Sequence, residues 1–142
     1  MLNQLIMENE PKPWIYYGIF LDEKSKEELR DFLPILEGWK VYCDHLTVVF
    51  NKNLDLVTAS DWIKYCESML GQTISLMVIS VGISEKAIAV GINYKTNNRI
   101  SHITIATAPG VAPVESNNIE EWIPLKNHFE LTGTFGVVRP QK

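Results

Sequence analysis

An α+β fold, antiparallel strands with two helices, is what this sequence predicts, and three observations carry it. The tripeptides His45-Leu46-Thr47 and His102-Ile103-Thr104 each sit in a run of alternating β-prone residues, Val41 to Phe50 and Ile100 to Ala106. Two other stretches carry apolar residues at helical spacing. Two further β-rich segments are joined through Gly82-Ile83-Ser84-Glu85, the pattern of a hairpin. Mixed antiparallel sheet with helices packed on it belongs to the α+β class.

Taken in order, residues 1–12 end in Glu8-Asn9-Glu10-Pro11-Lys12-Pro13 and read as a tail. Trp14 to Leu21 is aromatic and β-branched and predicts a first strand. Asp22-Glu23-Lys24-Ser25 opens a helix, with Ser25 and Glu28 at capping-box spacing. Leu29, Phe32, Leu33 and Leu36 form its buried stripe, and Pro34 and Gly38 mark its end. The first His strand follows, then a polar loop from Asn51 to Asp55. Thr58 and Asp61 suit the cap of a second helix, whose apolar face is Trp62, Ile63, Cys66, Met69 and Leu70 before Gly71. The hairpin strands run from Thr73 to Val81 and from Lys86 to Tyr94. Lys95-Thr96-Asn97-Asn98 turns the chain into the second His strand. A loop rich in Pro and Gly, Ala108 to Asn118, leads through a turn near Ile119–Trp122 to a last strand from Phe129 to Val138.

At 142 residues the chain suits one domain, and we assign residues 13–140 to it. A net charge of −4 argues against a long nucleic-acid footprint, which wants a basic face, but leaves room for a nucleotide or a short RNA end. Cys43 and Cys66 lack any CxxC or metal spacing and fit structural thiols in a reducing cytoplasm. No cluster of Asp, Glu, His and Cys has ligand spacing, so neither metal nor cofactor is expected. No apolar run approaches the ~20 residues of a membrane span, so no membrane partner is expected. Met1 to Met7 lacks the basic start and cleavage site of a signal peptide.

On a strand, residues i and i+2 share a face, so His45 lies beside Thr47 and His102 beside Thr104, while Leu46 and Ile103 point into the opposite layer. An imidazole and a hydroxyl so placed suit a tetrahedral anion, and two such pairs across a groove would grip a phosphate from both sides. A lone strand histidine is commonly a satisfied structural residue; the repeated pairing is what points to chemistry. His128, followed two on by Glu130, fits no such pattern and reads as structural. Tyr16, Tyr17, Trp39 and Tyr42 lie on or near these strands as candidate platforms for a base, with core packing the plainer reading of each. Ser116 and Asn117 are candidates for ribose or phosphate contact, or for turn formation. Arg99, Lys95 and Lys126 are cations available to a phosphate, or solvated surface.

The two motifs, His45-Leu46-Thr47-Val48 and His102-Ile103-Thr104-Ile105, resemble the signature of the two-histidine (2H) phosphoesterase family. The resemblance runs from Trp14 to Val138, in the order strand, helix, motif, helix, hairpin, motif. Gly110, Pro113, Ser116 and Asn117 look more like the cyclic phosphodiesterase domain of fungal-type tRNA ligases. The resemblance implies a bilobal α+β fold with two antiparallel sheets about a central cleft. It implies metal-independent hydrolysis of cyclic-phosphate nucleotides or RNA 2′,3′-cyclic phosphate ends, with His45 and His102 as acid and base and Thr47 and Thr104 on the phosphate oxygens. Two alternatives stand beside it: a nuclease of cyclic oligonucleotide signals, of the kind viral members of the family use, and a non-catalytic module that binds a nucleotide or RNA end.

Overall fold

The computed structural model describes residues 13–52 and 54–141; the predicted tail, residues 1–12, lies outside them. The chain runs β1 (Tyr16–Leu21), α1 (Glu23–Phe32), β2 (Lys40–Val41), β3 (His45–Phe50), α2 (Leu56–Met69), β4 (Thr73–Ile83), β5 (Ala87–Ile92), β6 (His102–Thr107), a 3₁₀ turn (Pro113–Asn118) and β7 (Trp122–Val138). The α+β class predicted from the sequence is what this order gives.

Both helices are capped by an aspartate one turn ahead of the predicted cap. Asp22 accepts from the Ser25 N–H at 2.8 Å and Asp55 from the Thr58 N–H at 2.7 Å. An ionised carboxylate is a strong acceptor for these orphan amides, and it takes the cap in both helices. Ser25 is buried instead, its hydroxyl accepting from the Thr132 N–H at 2.8 Å and tying α1 to β7. Leu29 is buried as predicted, but Leu36 is exposed because the helix stops at Phe32. Pro34 accounts for that: it excludes helical geometry from Leu33, whose backbone is extended at φ −132°, ψ 148°.

Among the described residues, seven strands pair antiparallel in one sheet, in the order β2-β6-β5-β4-β7-β1-β3. The two separate sheets implied by the family resemblance are therefore joined. β7 is the reason: at 17 residues it pairs with β4 along one side and β1 along the other, fusing the half that carries one motif to the half that carries the other. Its opening residues read as loop in the sequence. There Trp122, Ile123 and Pro124 continue the ladder opposite Gly82, Val81 and Ser80, next to a bulge between Val78 and Ser80 that tolerates a proline.

One face of the sheet carries the core. Tyr17, Ile19, Leu46, Val48, Ile103 and Ile105 pack there with Leu29 of α1 and Cys66 of α2, each less than 2% exposed. Alternate residues of the same strands point to the other face, which is open.

The sheet curls until β3 and β6, far apart in strand order, bring Cα atoms within 8 Å. Covalent continuity forces this. β2 pairs with the end of β6, Lys40 against Thr107 and Val41 against Ala106. The pairing continues past β2: the Tyr42 N–H donates to Ile105 O at 2.8 Å and the Cys43 N–H to Thr104 O at 3.0 Å. At Cys43 the backbone turns left-handed, φ 49°, and the chain leaves β6 for β1, where the Leu21 N–H donates to Asp44 O at 3.0 Å. Three residues thus carry the chain from one edge of the sheet to the other.

Candidate active site

The crossing sets the geometry of the cleft. The bonds from 42 and 43 carry the pairing with β6 as far as Thr104; beyond Cys43, β3 pairs with β1 instead, and the Asn97 N–H, donating to Val48 O at 2.8 Å, ties β3 to the segment before β6. β3 and β6 stay close beyond this crossing, and His45 and His102 line the same cavity. Thr47 lies one step further along β3, and Thr104 one step nearer the junction on β6. All four side chains line one cavity of about 720 Å³, with Tyr16, Tyr42, Asp44 and Asn117 among its other walls.

His45 is held on all sides. Its ring stacks on Tyr16 at 5.0 Å and on Phe20 at 5.4 Å between centroids. Nδ1 lies 3.1 Å from Asp44 Oδ2 and Nε2 lies 3.2 Å from Thr47 Oγ1. An Nδ1–H donated to the carboxylate leaves Nε2 to face the threonine hydroxyl and the cleft. Asp44 is itself paired with Lys26 of α1 at 3.4 Å. Beneath the ring, Gly18 of β1 has no room for a side chain: a Cβ there would meet Leu46 O at 2.8 Å and His45 Cδ2 at 3.6 Å. Burial, then the Asp44 charge, push the Tyr16 phenol above its ordinary pKa, so it stays neutral.

His102 is set differently. Its Nδ1–H donates to Ile100 O at 2.8 Å, which directs Nε2 away from its own strand. Burial holds the imidazole below the ordinary histidine pKa; the carbonyl bond pulls the other way, and the nearby His45 adds a small lowering. The ring is therefore neutral at pH 7, with a lone pair on Nε2. Thr104 is positioned by the loop after β6: its hydroxyl shares a hydrogen bond of 2.8 Å with buried Ser116 and reaches Pro113 O at 3.4 Å.

Tyr16, Tyr42 and Asn117 thus lie with the histidines, while Ser116 acts one layer back, behind Thr104. Tyr17 and Trp39 do not reach the cavity. Tyr17 follows Tyr16 on a strand and so faces the core, its hydroxyl donating to Glu67 Oε2 at 2.7 Å. Trp39 is half-buried against the same core. Of the three cations considered, Arg99 lines a smaller compartment beside the cleft, and Lys52, which the sequence did not single out, lines the main one.

Sequence reasoning also missed Asp44, Asn98 and Phe50. Strand alternation places Asp44 and His45 on opposite faces. Residues 42–44 are not strand, and the left-handed Cys43 is what swings the carboxylate alongside the ring. Among the described residues, no group of three His, Cys, Asp or Glu side chains stands close enough to hold a metal ion. No described helix is long and apolar enough to cross a membrane.

No family model and no curated protein matches the chain. Among solved structures it is similar to a fungal RNA kinase, with a TM-score of 0.63 at 16% identity, over 99% of this chain and 49% of that one. It therefore spans about half the length of that protein, and the likeness is one of fold. It also aligns with the protein TT0787 of Thermus thermophilus at 13% identity and a TM-score of 0.47, covering 89% of this chain and 95% of that one.

Proposed function

We propose that the chain is a two-histidine phosphodiesterase that hydrolyses the cyclic phosphate of a nucleotide or of an RNA end. The observation that supports this reading is a single cavity lined by both imidazole–hydroxyl pairs, His45 with Thr47 and His102 with Thr104.

The chemistry follows from how each ring is held. Neutral His102 offers Nε2 as the base that takes a proton from the attacking water. The water oxygen bonds to phosphorus, the bond to one ribose oxygen breaks, and that oxygen takes a proton from Nε2 of a protonated His45, whose Nδ1–H stays on Asp44. The ring opens to a phosphomonoester, and the protons return through solvent. The Thr47 and Thr104 hydroxyls donate to the non-bridging oxygens, where charge accumulates. Both proton transfers are carried by side chains, so the scheme itself calls for no metal. Tyr16, Tyr42 and the apolar rim of Val41, Phe50 and Val114 suit a nucleoside better than a run of phosphates. The fold likeness to a protein named as an RNA kinase favours an RNA end.

A second reading, cleavage of a cyclic oligonucleotide, is favoured by the net charge of −4, which suits a small diffusible ligand. One assay separates the two: 2′,3′-cyclic nucleotides, RNA with a 2′,3′-cyclic phosphate end, and cyclic di- and trinucleotides, all in EDTA. Hydrolysis of the first two supports the proposal, and hydrolysis of the last alone supports the second reading. No hydrolysis of any would overturn both. His45→Ala and His102→Ala are each expected to lower kcat by roughly 10²–10⁴-fold without unfolding the protein; full activity in both variants ends the mechanism.

A further inference from the structure

A second compartment, of about 190 Å³, lies behind His102, between the loop that enters β6 and the end of the 3₁₀ turn. His102, Asn98 and Asn117 line both it and the main cavity. A substrate whose phosphate lies against His102 is therefore at the doorway of this second space. We propose that the compartment receives the base of the penultimate nucleotide, so that the preferred substrate is an RNA end at least two nucleotides long. The inference rests on the cyclic-phosphate reading above and specifies its substrate.

Size excludes a whole nucleotide: the compartment is below the roughly 300–1,000 Å³ usual for small-molecule sites, whereas the main cavity lies within that range. A planar ring is what remains. The walls agree. Asn97, Asn98 and Asn117 contribute three carboxamides, each able both to donate and to accept, as the edge of a base requires. An anion would call for several cations or backbone amides, and Arg99 is the one cationic side chain in the lining.

One aromatic side chain, Trp122, also lines the compartment, and the sheet is cut to seat it. Its indole lies over Gly82, where a Cβ would come within 2.7 Å of the ring, and beside Gly91, where it would come within 3.6 Å. The indole N–H donates to Ile119 O at 3.1 Å. A ring fixed in this way is a platform already ordered before a base arrives, and base–aromatic stacking of this kind contributes about 1–3 kcal/mol. Its centroid is 6.3 Å from that of His102, so the platform adjoins the reacting phosphate.

The test compares three substrates on the intact protein: a nucleoside 2′,3′-cyclic phosphate, a dinucleotide with the same end, and that dinucleotide with an abasic penultimate position. The dinucleotide is expected to have a kcat/KM at least tenfold above the mononucleotide, chiefly through KM, and the abasic version is expected to fall back. Trp122→Leu and, separately, Asn97→Ala at an exposed position are expected to reduce the dinucleotide at least fivefold more than the mononucleotide. Equal efficiency on all three substrates overturns the inference while leaving the phosphodiesterase reading standing, since mononucleotide hydrolysis reports that reading by itself. With no turnover on any substrate, calorimetry with a dinucleotide 3′-phosphate against a mononucleotide 3′-phosphate decides the compartment. Tighter dinucleotide binding supports it and equal binding overturns it.

Discussion

The two histidines look alike in sequence and differ in every contact. His45 meets a carboxylate and stacks on two aromatic rings, while His102 is bonded to a backbone carbonyl. On the proposed mechanism that asymmetry gives each ring its role, and it has consequences in pH. His102 takes up its proton below the ordinary 6.5 because burial disfavours the cation. Turnover is therefore expected to fall as pH drops below about 6.5 and the base is lost. Stability follows the same sign: the unfolded chain protonates this residue first. The contribution is present above about 6.5 and drains as pH falls through the lower folded value. A denaturant midpoint that falls between pH 7 and pH 5 in the native protein, and falls less in His102→Gln, checks it. What the sequence disclosed here was the pairing of each ring with its threonine, since a period of two is read directly from the chain. The partners of the far ring nitrogens were hidden, one behind an irregular crossing and one in a backbone carbonyl that carries no residue signature.

Among the elements, β1 and β3 meet with almost no space between them. Gly18 sits where a methyl group would press on the Leu46 carbonyl beside the His45 ring. Gly18→Ala is expected to destabilise by about 1–3 kcal/mol, the usual cost of overpacking. It is also expected to lower kcat, because the shift falls on the strand that holds His45; a variant matching the native protein in both thermal unfolding and turnover would refute this. Most strands and both helices were legible from alternation and spacing. The boundaries that failed did so for local causes: Pro34 acting on Leu33, aspartates outcompeting serine and threonine for the caps, and a β7 whose polar first half, with Pro124, Asn127 and His128, reads as loop. That half pairs because β4 stands ready beside it, a tertiary effect invisible in the segment itself.

At the scale of the molecule, a single sheet makes the two halves interdependent. β7 lies inside it, between β4 and β1, with Leu131 and Phe135 at most 1% exposed. Leu131→Ala is expected to cost about 2–5 kcal/mol. Unfolding is expected as one cooperative transition with coincident tryptophan fluorescence and circular dichroism curves; two separate transitions would mean that the halves melt independently. The family resemblance implied two lobes, and the sequence could not reveal the weld between them, because strand order is a long-range property. The weld also bears on biosynthesis. The strand that joins the two halves is the last of the described elements to be synthesised, so a chain can already contain both histidine motifs and still lack the sheet that brings them together. On the proposed function, a released fragment of residues 1–121 should be inert toward a substrate that the intact protein cleaves.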